Sequence, residues 1–100
     1  SSFPLKIYWD ISPDRLQKYP ARVAISVPKR KINKAVDRNL MKRRIRESYR
    51  TNKDIIYDPL REKGIKIVMI VMYLSDEFMS YDNLNTGLRE LLSKLAVNLV

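Results

Sequence analysis

Hydrophobic residues alternate with polar ones in two short segments near the N-terminus of this 100-residue chain. Residues 5–11 read LKIYWDI, which places Trp9 among the expected core positions and Tyr8 on the opposite side. Residues 21–27, ARVAISV, repeat the alternation. A period of two is typical of a half-buried β-strand, and Pro28 ends the second strand because proline has no N–H to donate. We expect these two strands to pair antiparallel.

The spacing of apolar residues changes to a helical period in the middle and at the end of the chain. It predicts an α-helix from about Ala35 to Asn52 and a shorter one within residues 54–63, where Pro59 limits the length. The leucines between positions 84 and 95 are three or four residues apart, which predicts a final helix with one buried stripe.

Residues 65–74, IKIVMIVMYL, form the longest apolar run. This run predicts a central strand buried on both faces, although periodicity alone does not exclude a helix. It is far shorter than the ~20 residues that a membrane span needs. The element order is strand, strand, helix, short helix, strand, helix. It predicts an α+β fold in which helices pack on a sheet of three or slightly more strands, as a single domain over residues 1–100.

The net charge of +9 is concentrated in one part of the chain. Residues 29–50 contain ten Lys and Arg and two acidic residues, a net charge of +8. Solubility does not require such segregation, so it indicates a polyanionic partner. Histidine and cysteine are absent from the sequence. Their absence removes the commonest general base and the usual zinc ligands, which favours a binding role over side-chain catalysis.

The predicted helix over residues 35–52 separates its basic residues from its core positions when residues are placed 100° apart. Met41, Ile45 and Ser48 fall on a narrow side that we expect to face the core. The opposite basic face spans roughly 140°, and Arg44 falls outside it. The basic face consists of Arg38, Asn39, Lys42, Arg43, Arg46 and Arg50.

Most charge runs of this kind are solvated helix faces, but two features argue for a bound anion here. Like charges lie one turn apart (Lys42 with Arg46, and Arg46 with Arg50), which weakly destabilises an isolated helix. Arginine also predominates, and its planar guanidinium suits bidentate contact with phosphate. A membrane-surface helix would need a wider apolar side. We therefore interpret the basic face as a nucleic-acid-binding surface.

Residues 21–50 resemble the bacterial ribonuclease P protein subunit. The strand end and the basic loop match that family at Ser26, Val27, Lys29 and Arg30. The helix matches its RNR motif at Ala35, Arg38, Asn39, Lys42, Arg43 and Arg46. Leu40 stands where the second Arg of the motif is usual, and because this position lies off the basic face we expect little loss of RNA contact.

The resemblance implies a two-layer α/β sandwich with a small mixed sheet and a left-handed βαβ crossover, contrary to the usual hand. It implies one ribonuclease P protein-like RNA-binding domain over residues 1–100. We expect this domain to lack the basic helix that the family normally has before the first strand.

The resemblance also implies that the chemistry belongs to an RNA partner. In the family, a catalytic RNA acting with Mg²⁺ removes the 5′ leader of precursor tRNA, while the protein binds that RNA and the leader. We therefore expect no catalytic residue, metal site or cofactor in the polypeptide itself. We also expect no membrane or DNA partner, and a cytoplasmic location.

By the same resemblance, Asn39, Arg43 and Arg46 contact the leader or nearby catalytic RNA, while Arg38 and Lys42 hold phosphates. We expect further RNA contacts from the remaining basic residues, whose alternative is an unstructured basic loop. These residues are Arg50 on the helix and Lys29, Arg30, Lys31 and Lys34 in the loop.

Tyr8 and Ser26 are candidates for a cleft that holds the leader. Tyr8 could stack on a base and Ser26 could hydrogen-bond RNA. The alternatives are packing of Tyr8 on a helix and a simple strand end at Ser26. For the whole chain, the alternative function is a generic RNA-binding or ribosomal module with a basic helix, or more distantly a DNA-binding protein.

Overall fold

A computed structural model describes residues 5–99 as three strands and three helices. In chain order these are β1 (Leu5–Ile11), β2 (Ala21–Ser26), α1 (Ala35–Asn52), α2 (Asp54–Lys63), β3 (Ile67–Tyr73) and α3 (Tyr81–Asn98). The elements form an α+β sandwich of a mixed sheet and a helical layer, which confirms the fold class predicted from the sequence. No helix in the described part of the chain is long and apolar enough to cross a membrane.

The sheet has the strand order β1-β3-β2, with β3 antiparallel to β1 and parallel to β2. The predicted antiparallel pairing of β1 with β2 is therefore wrong. The most apolar strand takes the centre, and the two amphipathic strands take the edges on either side of it. A parallel pair needs a long crossover, which α1 and α2 supply between β2 and β3. The left hand of this crossover stays a prediction.

The two faces of β3 differ, so the prediction that it is buried on both faces is wrong. Ile67, Met69, Val71 and Tyr73 are buried against the helices, whereas Ile70 on the other side is 43% exposed. We call these sides the closed face and the open face of the sheet. The helices pack on the closed face, and among residues 5–99 no element covers the open face.

The core lies between the closed face and the two long helices. Leu84, Leu88, Leu92 and Leu95 of α3 are buried, which confirms the predicted leucine stripe. Trp9 was expected in the core, but it is 38% exposed. It lies on the edge strand β1 beside the last turns of α3, so no further strand covers its outer side.

A small polar network fixes α1 against α3. The Ser48 hydroxyl donates to Oδ1 of Asn85 at 2.7 Å, and Nδ2 of Asn52 donates to the same oxygen at 2.7 Å. Ser48 is fully buried, as predicted from its place on the core side of the helix. A buried hydroxyl is tolerated when it has a hydrogen-bond partner, and this one also fixes the rotation of α1.

The connection from β1 to β2 is held in place by the buried side chain of Gln17. Its Nε2 donates to the carbonyl oxygens of Tyr19 at 2.9 Å and Ile67 at 3.0 Å. Its Oε1 accepts from the Ser12 hydroxyl at 2.7 Å, and the Lys66 amine donates to the Gln17 carbonyl oxygen. These bonds join the loop to the start of β3 and give it a defined conformation.

The buried side of α1 can be tested with two substitutions in the same helix. Ile45 is fully buried and Val36 is 78% exposed. Ile45→Ala should lower the free energy of unfolding by about 2–5 kcal/mol, because it leaves a cavity in the core. Val36→Ala should change it by no more than about 0.5 kcal/mol. Denaturant unfolding of both variants measures the difference, and equal effects would contradict the assigned orientation.

Tyr49 is buried, and its hydroxyl has no hydrogen-bond partner among the described residues. Burial, with a smaller contribution from Tyr57, raises its pKa well above the ordinary value near 10. The unfolded chain therefore releases this proton first, so the free energy of unfolding should fall as the pH rises above about 10. Tyr49→Phe should make that fall less steep and leave stability at neutral pH unchanged or slightly raised. Burial also raises the pKa of Tyr73. The free energy of unfolding of the Tyr49→Phe variant should therefore still fall at high pH, but less steeply than that of the wild type.

Candidate nucleic-acid interface

Contacts between α1 and the chain around α3 fix the direction of the basic face. Ser48 and Asn52 bond to Asn85, and Nη1 of Arg44 donates to the carbonyl oxygen of Met79 at 2.6 Å. All three lie on one flank of α1, so the basic face lies on the other flank, towards the edge strand β2. The contact made by Arg44 confirms that this residue lies outside the basic face.

Three cations of the basic face have no acidic partner in the described part of the chain. Arg43 and Arg46 are exposed and Lys42 is partly exposed, and none of them takes part in an ion pair there. Asn39 is exposed beside them and offers an amide donor and acceptor. We call Asn39, Lys42, Arg43 and Arg46 the cationic surface. Its charges are available to an external anion without breaking an internal ion pair.

The two remaining arginines of the predicted basic face make internal contacts. Nη1 of Arg38 donates to the carbonyl oxygens of Ile32 at 3.1 Å and Asn33 at 2.9 Å. Arg50 forms a two-bond ion pair with Glu47, at 2.6 and 3.1 Å. Hydrogen bonding to Arg50 holds the pKa of the Glu47 carboxyl below its ordinary value. Arg38 therefore supports the loop before α1, and the charge of Arg50 is locally balanced.

The basic loop between β2 and α1 has a defined structure. The N–H groups of Lys31 and Ile32 both donate to the Pro28 carbonyl oxygen, at 3.0 and 3.2 Å. Ile32 is buried and anchors the loop, while Lys29 and Arg30 are exposed. Of the other two basic residues in the loop, Lys34 is exposed and Lys31 is partly buried. The sequence interpretation did not single out Ile32. The available signal was an apolar residue within a run of basic ones, which indicates an anchor in the core.

Tyr8 and Ser26 both lie on the open face of the sheet. Tyr8 pairs with Ile70, which pairs in turn with Ala24, and Ser26 lies one row further along β2. Tyr8 is 53% exposed, and no helix of the described chain packs on this face. The structure thus brings the two predicted cleft residues onto one surface and leaves the ring of Tyr8 available for stacking.

A shallow hollow of about 420 Å³ occupies the middle of the open face. Tyr8, Arg22, Val68 and Ile70 are among its lining residues. Arg22 forms an exposed ion pair with Asp14 at 3.2 Å, and the sequence interpretation did not include it. Arg22 lies two residues before Ala24 and four before Ser26. Because alternate residues of a strand share a face, this spacing was the signal that places Arg22 beside Ser26 on the open face.

The open face and the cationic surface meet at the same end and edge of the sandwich. β2 ends at Ser26, the basic loop follows directly, and α1 begins at Ala35. α1 also packs over β2 on the closed face, and because its Ser48 and Asn52 flank faces α3, its cationic surface lies on the side of the β2 edge. A single extended polyanion could therefore contact the helix, the loop and the sheet without crossing the protein.

Residues 5–99 bring together no group of three or more His, Cys, Asp or Glu side chains that could hold a metal ion. The expectation that the polypeptide itself has no metal site stays a prediction. The expectation that magnesium acts on an RNA partner stays a prediction.

Comparison with known proteins finds one family along nearly the whole chain. The family model described as Ribonuclease P matches residues 2–96. A protein named ribonuclease P protein component from Porphyromonas gingivalis is 30% identical over 96 residues, which cover 96% of this chain and 69% of the relative. One of the same name from Chlorobaculum tepidum is 33% identical over 103 residues, covering 96% of this chain and 67% of the relative. No solved structure matches the chain significantly.

Two neighbouring arginines of α1 should respond differently to substitution. Arg46→Ala should weaken binding to a single-stranded RNA oligonucleotide and reduce the salt dependence of log K by about 0.7 per lost phosphate contact. Arg44→Ala should leave that slope unchanged but lower stability by about 1–3 kcal/mol, because the Met79 carbonyl loses a charged donor. Salt titration and thermal unfolding of both variants measure these effects. A reversed pattern would contradict the assigned flanks of α1.

Proposed function

Since the chain belongs to the ribonuclease P protein family, we propose that its cationic surface and basic loop bind the RNA subunit and the precursor tRNA. As a protein component of ribonuclease P, the chain binds RNA and takes part in tRNA 5′ processing. The assignment of these roles to particular side chains is our proposal. It is carried by one observation: Lys42, Arg43 and Arg46 form a row of cations without internal partners on an ordered helix.

The cationic surface is better suited to binding phosphate groups than to binding a protein partner. Guanidinium groups bind phosphate oxygens in pairs, and Asn39 can add a hydrogen bond to a base or a sugar. The helix is already anchored through Met41 and Ile45, so binding does not have to order it. Each phosphate contact would release condensed counterions, which makes the affinity strongly salt-dependent.

We propose that the 5′ leader lies on the open face. Single-stranded RNA is bound by stacking of its bases on aromatic side chains and by contacts to its backbone. Tyr8 supplies an exposed ring, Ser26 a hydroxyl group, and Ile70 an apolar floor between them. Arg38 contributes indirectly, by holding the loop that connects this face to α1.

The proposed contribution of the polypeptide is positional and electrostatic. The cationic surface would reduce the repulsion between two polyanions, the RNA subunit and its substrate, and the open face would fix the leader relative to them. Proton transfer and phosphodiester cleavage would belong to the RNA with its magnesium ions, and we propose no such step for the protein. A cytoplasmic location and the absence of DNA and membrane partners remain predictions.

A reconstitution with the RNA subunit and a precursor tRNA tests this function at limiting magnesium. Arg43→Ala combined with Arg46→Ala should reduce stimulation of cleavage by at least about tenfold, because charged hydrogen bonds contribute about 1.5–3 kcal/mol each. The matched control is Arg89→Ala with Lys94→Ala, which removes the same charge from exposed positions of α3.

The outcomes separate this function from a generic basic module. Equal loss in the two double variants would mean that only net charge matters. If the wild-type chain stimulates cleavage no more than another basic protein of equal charge, the proposed function fails. A thermal unfolding curve for each variant establishes that the fold is retained.

A further inference from the structure

A second cleft, of about 430 Å³, opens at the end of the sandwich opposite the basic loop. One wall is the end of the β1–β2 connection, with Lys18 and Tyr19. The other runs from Arg61, in the last turn of α2, to Lys66 at the start of β3. None of the residues lining the cleft is acidic. The cleft is therefore positively charged, although it lies outside the segment that carries most of the basic residues.

An exposed aromatic ring stands at the rim of this cleft. Tyr19 is 54% exposed, and the Lys18 amine lies 5.5 Å from the centre of its ring. A cation beside an accessible ring is the combination that single-strand-binding sites use, because a base can stack on the ring while its phosphate contacts the amine.

The loop that carries Tyr19 is held rigidly, although it lies at the surface. The buried Gln17 side chain bonds the Tyr19 carbonyl oxygen and reaches across to Ile67. Lys66 donates to the Gln17 carbonyl oxygen from the opposite wall. The ring of Tyr19 is thus presented from a fixed backbone, which lowers the entropy lost when a ligand binds.

Internal roles account for some of these cations but not for the whole cluster. Arg61 lies 5.3 Å from the ring of Tyr57 and near the C-terminus of α2, where a cation is favourable. Lys66 fastens the loop. The side chains of Lys18 and Tyr19, in contrast, make no hydrogen bond or ion pair with any residue that the structure describes. Their cation–π contact with each other leaves the ammonium N–H groups and the exposed part of the ring open to an external ligand.

The position of the cleft identifies that ligand. β2 runs from Ala21 to Ser26, so its six residues separate the two ends of the open face by about 20 Å. A single strand that starts beside Ser26 and follows β2 backwards passes Arg22 and, at the end of the sheet, turns towards the cleft between Pro20 and the last turn of α2. The open face therefore leads from the basic loop to the end of the sheet at which the cleft opens.

We propose that this cleft is a second binding site for single-stranded RNA, holding the leader nucleotides farthest from the cleavage site. The proposal rests on the proposed function, because it extends the path of the leader beyond the open face. The Tyr19 ring stacks on a base, and the Lys18 and Arg61 side chains contact the phosphates. A leader too short to reach the cleft does not use it.

The reconstituted holoenzyme tests the proposal with precursor tRNAs whose leaders have about 4 and about 16 nucleotides, which bracket the site sizes of small single-strand-binding domains. Lys18→Ala combined with Tyr19→Ala should weaken binding of the long-leader substrate by about five- to tenfold, since stacking on one aromatic ring is worth that much or more. Binding of the short-leader substrate should be unchanged. Tyr19→Trp alone, which retains a stacking surface, should leave long-leader binding intact. The matched control is Arg89→Ala with Val97→Ala, which removes one cation and one exposed apolar side chain from α3.

Three results would overturn the proposal. Equal weakening for both leaders would assign the cleft to the RNA subunit, and no weakening for either would leave it without an RNA ligand. If the α3 control loses the same affinity for the long-leader substrate, the effect arises from net charge and not from the cleft. Failure of the proposed function can be told apart from failure of the second site. If the proposed function fails, the wild-type chain itself does not improve binding of either substrate.

Discussion

The parallel pairing of β2 with β3 determines where the cationic surface, the basic loop and the open face lie. Parallel neighbours cannot be joined by a tight turn, so the chain between them crosses the whole sandwich as α1 and α2. The start of α1 is therefore placed at the end of the sheet where Ser26 lies, with the basic loop as the only connection. The same crossover adds its helices to the closed face, and the open face stays accessible.

The core also explains how α1 tolerates the repulsion along its basic face. Like charges one turn apart destabilise a helix by only about 0.2–0.5 kcal/mol per pair. Burying a side chain such as Met41 or Ile45 contributes about 1.5–3 kcal/mol, and the Ser48–Asn85 bond adds to this. Packing is thus the larger effect, and the helix forms before any anion binds. The cationic surface is consequently preorganised, which favours tight binding.

Features that depend on neighbouring residues could be predicted from the sequence, and those that depend on distant partners could not. The bounds of α1 and the burial of Met41, Ile45 and Ser48 follow from helical periodicity. Strand pairing is a choice among distant segments, so the antiparallel pairing of β1 with β2 was predicted wrongly. Exposure of Trp9 depends on how far α3 extends over an edge strand, which no local pattern shows. Likewise, the partners of Arg38 and Arg50 are fixed only by the folded geometry.

On α1 and the open face, charge and stacking are supplied by different parts of the molecule. The open face is nearly balanced in charge, because Lys6 and Asp10 are of opposite sign and Arg22 is paired with Asp14. Its exposed Tyr8 and Ile70 suit bases, whereas the cationic surface of α1 suits phosphates. Salt screens the phosphate contacts strongly and base stacking only weakly. The salt-dependent part of RNA binding therefore reports on α1, the basic loop and the cations of the second cleft, and the part of the affinity that survives high salt reports on the stacking surfaces.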